Sequence, residues 1–351
     1  MSAPDGRALV LVVGVGRSGT SLLAGILGQL GFHIQRPEVK ANSTNPRGFG
    51  EPRWVVDFHA ALLRSQRITV NDSRPAAWEP AARAGEDPAV AGALRDWLAE
   101  QLREADAVVV KDPRTVWFLP LWMRCAAELG VTPSFVTMLR HPAETLTSAR
   151  ASYGTWQSAA SRAAAWLNVT LETERATRGA QRAFVRYDDL LADWRQEATR
   201  LGELLPLPPL RVIDPARAAE VDRFVDPALH RNRVRWDELD VPDRLRDMAE
   251  DVWQQVQPLA RPGGDAEAAQ AGLDEARAGF ERLYREAEEI AQSSVTAARR
   301  RKRQGAAARR PPARPWVRVA RRVPFRYRRA LRRAAGALRG SRARVRALRG
   351  R

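Results

Sequence analysis

The sequence predicts an α/β fold: a central parallel sheet flanked by helices, followed by a basic C-terminal extension. Three observations carry that expectation. Ala8 to Val13 and Ala107 to Val110 are continuously apolar rather than alternating, the pattern of strands buried on both faces, and Ser134 to Leu139 and Arg182 to Tyr187 also read as strands. Helical patterns separate these runs, and strands that alternate with helices build parallel sheets. The charge is also unevenly spread. The 351 residues carry a formal net charge of +17, yet Ala297 to Arg351 holds 22 basic residues and no acidic one, which leaves the remainder at about −5.

The first apolar run, Ala8-Leu-Val-Leu-Val-Val13, ends in glycines and reads as a buried strand. A helix is expected over Ser18 to Leu30, with Leu22, Leu23, Ile26, Leu27 and Leu30 on one face. Gly31 to Ile34 reads as the start of a further strand. Residues 35–50, rich in Pro, Asn and Gly, read as a loop, and a helical pattern resumes from Glu51 to Leu63. Pro75 to Pro88 reads as a surface connection. Pro88 to Glu104 is an amphipathic helix with proline in its first turn. Ala107 to Val110 is the second buried strand, ending in Lys111-Asp-Pro-Arg114. Ser134 to Leu139 is the third, ending in Arg140-His-Pro142 and a helix. Arg182 to Tyr187 is the fourth, again followed by a helix, and residues 242–291 read as helical. The expected organisation is an α/β domain over residues 1–296 and an arginine-rich tail over 297–351, disordered or an amphipathic helix.

The first three strands each end in a polar cluster. Open α/β sheets bind ligands just beyond the carboxyl ends of their strands, so this convergence points to an enzyme. Only Lys40, Lys111 and Lys302 are lysine; the other 55 basic residues are arginine. That bias dilutes the meaning of any one arginine and sharpens that of each lysine. The single cysteine, Cys125, permits no internal disulfide and sits in an apolar stretch, as an inert buried thiol would. The run Ala8 to Val13 is too short for a signal peptide, and no stretch is long and apolar enough to span a bilayer, so a cytoplasmic protein is expected.

Gly14-Val-Gly-Arg-Ser-Gly-Thr-Ser21 joins the first strand to the first helix. Glycines let the backbone turn sharply, and the helix N-terminus adds a positive end that favours phosphate. Ser18, Thr20 and Ser21 add hydroxyls and Arg17 adds charge. The spacing fits three readings. Gly14-x4-Gly19 is that of a nucleoside-triphosphate P-loop, but Thr20 stands where that motif needs its lysine. Gly14-x-Gly16-x-x-Gly19 is also a dinucleotide fingerprint, with Glu38 near the distance of a ribose partner. A glycine turn without a ligand would not need three hydroxyls and an arginine.

Gly16-Arg-Ser-Gly-Thr-Ser-Leu-Leu23 resembles the 5′-phosphosulfate loop of sulfotransferases that use 3′-phosphoadenosine 5′-phosphosulfate (PAPS), closest to bacterial members that write Arg-Ser-Gly-Thr-Ser. Arg140-His-Pro-Ala-Glu-Thr-Leu-Thr-Ser148 is similar to their 3′-phosphate segment, where an arginine ends a strand and a serine follows eight residues later. Phe184-Val-Arg-Tyr-Asp-Asp-Leu190 resembles a run found late in many members, and Lys111-Asp-Pro resembles the strand end that some place by the sulfate. The resemblance covers roughly residues 8–240 and implies a P-loop-like fold with PAPS as co-substrate. It assigns Gly16, Arg17, Ser18, Gly19, Thr20, Ser21, Arg140 and Ser148 to PAPS binding. One signature is absent: the C-terminal Arg-Lys-Gly and Gly-Asp-Trp-Lys segments of the cytosolic enzymes, for which Arg231 and Arg233 are the available substitutes.

The expected reaction moves a sulfuryl group from PAPS to a hydroxyl or amine of an acceptor, such as a carbohydrate or glycolipid, by in-line displacement. Arg17 and Lys111 are the candidates for steadying the developing charge. Glu51, which closes Gly48-Phe-Gly-Glu51, is the candidate base, with Glu38 its rival and His33 and His59 behind. No His or Cys cluster stands at ligand spacing, so no metal is expected. Tryptophans 54, 78, 117 and 122 fall at core spacing and are assigned no site role. The tail mixes arginines with Trp316, Phe325 and Tyr327, which suits an anionic membrane surface at the inner face of the membrane ahead of nucleic acid. The competing readings are a non-catalytic nucleotide- or nucleic-acid-binding protein and a P-loop kinase-like enzyme needing Mg²⁺ and ATP.

Overall fold

The computed structural model describes residues 7–42, 45, 47–153, 157–226, 236–265 and 267–308. Strands β1 (Ala8–Val13), β2 (Ala107–Lys111), β3 (Pro133–Leu139) and β4 (Gln181–Arg186) form one sheet in the order β2-β1-β3-β4. Every pairing is parallel. Leu9 lies opposite Val108 on one side and Pro133 on the other, and Ser134 lies opposite Gln181. These are the four strand segments expected from the sequence, with Tyr187 opening the following helix instead of ending the fourth strand.

Helix α1 (Thr20–Gln29) follows β1. Helices α2 (Arg53–Ser65), α3 (Trp78–Glu86) and α4 (Pro88–Glu104) fill the connection to β2. Helix α5 (Leu119–Glu128) leads into β3, and α6 (Pro142–Tyr153) and α7 (Ala159–Ala176) lead into β4. After β4 come α8 (Tyr187–Ala192), α9 (Trp194–Leu204), α10 (Pro208–Arg211), α11 (Pro215–Phe224), α12 (Asp243–Val256) and α13 (Glu267–Ala308). The start of α4 is fixed locally: Asp87 accepts from Ala89 N at 2.8 Å, and Pro88 needs no donor partner in the first turn.

Helices cover both faces of the sheet, so β1 is buried at every residue and its side chains divide by alternation. Ala8, Val10 and Val12 pack with Leu23, Ile26 and Leu27 of α1 and Trp194 and Leu201 of α9. Leu9, Leu11 and Val13 pack with Val55, Leu94, Leu98, Trp117 and Trp122 on the other face. A third cluster joins Leu139 and Phe184 to α7, α12 and the first part of α13 through Leu167, Trp253, Leu273 and Phe280.

Three local expectations are corrected. Gly31 to Ile34 makes a single parallel bridge, His33 to Val108, and no strand. Pro75 to Pro88 is no surface connection: α3 occupies it, because Trp78 stacks on buried Trp117 with ring centroids 3.7 Å apart and Ala81 is buried. Helix α1 begins at Thr20, since Gly19 takes φ +100°, outside the helical region.

Cys125 is buried, and burial pushes its thiol up, which leaves it unreactive. The chain divides into compact units Met1–Arg285 and Glu286–Arg351. Helix α13 continues through Ala297 to Ala308, and residues 309–351 of the basic extension lie outside the described residues. Among the described residues no helix is long and apolar enough to cross a membrane.

Candidate active site

Strand β1 has β2 on one side and β3 on the other, so the strand order reverses between β1 and β3. The chain leaves both strands at their carboxyl ends with the segments singled out in the sequence, and such a reversal opens a crevice for ligands.

The loop after β1 is shaped by close contacts. Gly14 has φ +122°, and a Cβ there would lie 2.7 Å from the Met138 carbonyl oxygen. At Gly19 a Cβ would lie 2.3 Å from the Tyr187 ring. Between them Arg17 holds φ +76°, a conformation that non-glycine residues pay for. Ser18 N donates to Val15 O at 3.1 Å and closes the turn. Gly19→Ala is expected to cost about 2–4 kcal/mol, from a left-handed alanine plus overpacking against Tyr187, read as a lowered urea midpoint.

Nine of the sequence-predicted residues line one cleft of about 610 Å³: Gly16, Arg17, Gly19, Thr20, Ser21, Glu51, Lys111, Arg140 and Ser148. Ser18 does not line it; its buried Oγ turns toward Gly14 and has no hydrogen-bond partner among the described residues. The charged residues fall into two groups. In the first, Arg17 Nε donates to Ser148 Oγ at 3.1 Å, joining residues 131 apart in sequence. Arg140 Nη1 donates to Arg17 O at 3.3 Å, Arg140 Nε donates to Glu144 at 3.0 Å, and the guanidinium lies 4.3 Å over the Tyr187 ring. Arg140 Nη2 is buried and makes no hydrogen bond among the described residues. Burial also pushes the Tyr187 phenol up, so it stays neutral beneath that cation.

In the second group, Lys111 Nζ donates to Glu51 Oε1 at 2.5 Å and to Ser21 Oγ at 3.0 Å. Lys111 is 2% and Glu51 7% exposed, so this pair sits in the wall of the cleft rather than in solvent. Burial raises the Glu51 carboxyl above its usual range, and Lys111 opposes that shift without cancelling it.

Glu38 and Glu51 lie on neighbouring backbone, since Val39 N donates to Glu51 O at 2.9 Å. Their side chains diverge. Glu51 reaches Lys111, whereas Glu38 lines a separate shallow concavity and stands 3.9 Å from Arg36. His33 contacts Gln101 on the far side of β2, and tryptophans 54, 78, 117 and 122 stay out of the cleft wall. Arg231 and Arg233 lie outside the described residues.

Sequence reasoning missed Arg47, Arg114 and Phe224, which also line the cleft. Arg114 was visible in the Lys111-Asp-Pro-Arg114 run, but in a chain with 55 arginines nothing in its type marked it. Among the described residues no group of three or more His, Cys, Asp or Glu side chains is arranged to hold a metal ion.

A cleft at a strand-order reversal, walled by buried cations and a glycine loop, is a place where an α/β fold can receive an anion. The sequence profile of the Sulfotransferase family, Sulfotransfer_3, matches residues 10–210, which takes in most of β1 and all of β2 to β4. The chain belongs to the sulfotransferase family, and is a transferase. No curated protein matches it. Among solved structures it is similar to the sulfotransferase domain of the olefin synthase from Synechococcus PCC 7002, at 19% identity over 73% of this chain and 97% of that one, with a TM-score of 0.39.

Proposed function

We propose that the chain transfers the sulfuryl group of PAPS to a hydroxyl or amine of an acceptor. One observation carries this reading above others: Arg17, Ser148 and Arg140 converge from distant segments, and Arg140 keeps a buried guanidinium nitrogen with no hydrogen-bond partner among the described residues. A buried donor left unpaired is costly, and an anionic oxygen would satisfy it. A lysine-free loop suits a phosphosulfate better than the terminal phosphates of ATP.

In this reading the loop from Gly16 to Ser21 holds the 5′-phosphosulfate, and Arg140, Ser148 and Arg17 hold the 3′-phosphate. The acceptor oxygen forms a bond to sulfur as the bond from sulfur to the bridging phosphate oxygen breaks, and 3′,5′-adenosine bisphosphate (PAP) leaves. Lys111 steadies the negative charge that develops on the bridging oxygen. Glu51 takes the proton lost by the acceptor; its carboxyl, raised by burial, is a better base than an exposed glutamate. Lys111 and Glu51 already share a hydrogen bond, so substrate binding need only redirect it.

Incubating the chain with sulfur-labelled PAPS and a panel of hydroxyl and amine acceptors, in chelator, tests the reading. Label is expected to leave PAPS for an acceptor. Transfer from labelled ATP in Mg²⁺, with none from PAPS, would support a kinase-like enzyme instead.

A further inference from the structure

A fully buried carboxylate stands directly behind the Lys111–Glu51 pair and takes no part in the steps above. Asp112 is 0% exposed, and so is its partner His59. A charge in such a place is tolerated only when its lone pairs are used. Asp112 Oδ2 accepts from His59 Nδ1 at 2.8 Å. Asp112 Oδ1 accepts from Arg114 Nη1 at 2.7 Å and from Arg114 N at 3.2 Å.

The direction of this chain of bonds is fixed by one atom. Trp122 Nε1 can only donate, and it lies 3.0 Å from His59 Nε2, which therefore accepts. The ring proton is then on Nδ1, and His59 is neutral. Burial pushes the Asp112 carboxyl up, but the hydrogen bond from neutral His59 and the charge and hydrogen bonds of Arg114 hold the group below its usual range, as an ion. Trp122 thus orients His59, His59 orients Asp112, and Asp112 clamps Arg114. These four side chains tie the floor of the aromatic core to the wall of the cleft.

Arg114 lines that cleft and is 25% exposed. Asp112 holds Nη1 of its guanidinium, and among the described residues Nε and Nη2 make no hydrogen bond, which leaves them for a ligand. Arg114 follows Lys111 by three residues in the segment that leaves β2, and both line the cleft. Arg17, Arg140 and Ser148 form the other group. A planar fork fits a pair of oxygens on one tetrahedral centre better than an ammonium does.

We propose that Arg114 recognises the sulfuryl group of the donor, offering its two remaining guanidinium nitrogens to sulfuryl oxygens, with Asp112 and His59 as its positioning residues. This rests on the PAPS reading. Pre-fixed donors of this kind stabilise spread negative charge without reorganising as it forms.

PAPS and PAP differ by the sulfuryl group, so their affinities separate this role from a general one. Calorimetric titrations of the full chain would compare the wild type with Arg114→Ala, His59→Leu and His59→Asn. Arg114→Ala is expected to weaken PAPS about tenfold to a hundredfold and to leave PAP within about twofold. His59→Leu is expected to show the same selective loss. His59→Asn, whose amide can donate to Asp112 as Nδ1 does, is expected to restore PAPS affinity. Should His59→Leu fail to fold, Arg114→Ala alone decides the matter. An Arg114→Ala variant that weakens both ligands equally, or neither, overturns the proposal. A wild type that binds neither ligand instead overturns the sulfotransferase reading on which it rests.

Discussion

Glu51→Gln is expected to lower kcat/KM for sulfuryl transfer by about 10²–10⁴-fold, the usual worth of a positioned general base. PAP affinity should hardly change, because Glu51 belongs to the Lys111 group and not to the Arg140 group. The substitution keeps an oxygen that can accept from Lys111, so the buried ammonium is not stranded. The pH dependence supplies a second readout. A base must be ionised to act, and burial raises the Glu51 carboxyl. It therefore holds its proton to a higher pH than an exposed glutamate does. Activity should be lost as pH falls through that raised value, so the acid limb of the profile lies above the ordinary glutamate range. Residual activity of Glu51→Gln should lack that limb. A wild-type rate that persists in Glu51→Gln would remove Glu51 from the mechanism.

Arg140→Ala is expected to weaken PAP by about tenfold to a hundredfold or more, since charge-assisted bonds to a phosphate are lost. The side chain also ties Arg17 O to Glu144 and packs over Tyr187, so its removal loosens the loop that a ligand would touch. Arg140→Lys keeps the charge but loses the fork and should fall between the two. Calorimetry reads both. A melting curve checks that each variant is folded, because the Arg140–Glu144 bond is lost.

Much of the fold was legible because its signals are local. Buried parallel strands lack polar alternation: Ala8 to Val13 and Ala107 to Val110 are continuously apolar, and Ser134 to Leu139 is interrupted only by Ser134 and Thr137. Helix α4 carries its own start in Asp87 and Pro88. Helix α3 was hidden for the opposite reason. Pro, Ala and Gly dominate its neighbourhood, and what makes it a helix is Trp78 on Trp117, a contact made across the fold. Gly31 to Ile34 offered an apolar fragment, but β2 has only a one-residue contact to give it.

The same division holds at the candidate site. Gly16 to Ser21, Arg140 and Ser148 were visible by type and spacing, and Lys111 stood out because this chain writes arginine. The separation of Glu51 from Glu38 was not visible, since it depends on which way two neighbouring backbones turn their side chains. The His59–Asp112–Arg114 chain was equally out of reach. Its first two members are 53 residues apart and meet only when α2 packs beneath the end of β2.

Calorimetric titration of the full chain with PAP, in chelator and beside ATP and NAD, tests the central claim most directly. Tight binding of PAP, far exceeding that of ATP or NAD, is the expected result. No binding of PAP, with ATP or NAD bound in its place, would contradict it.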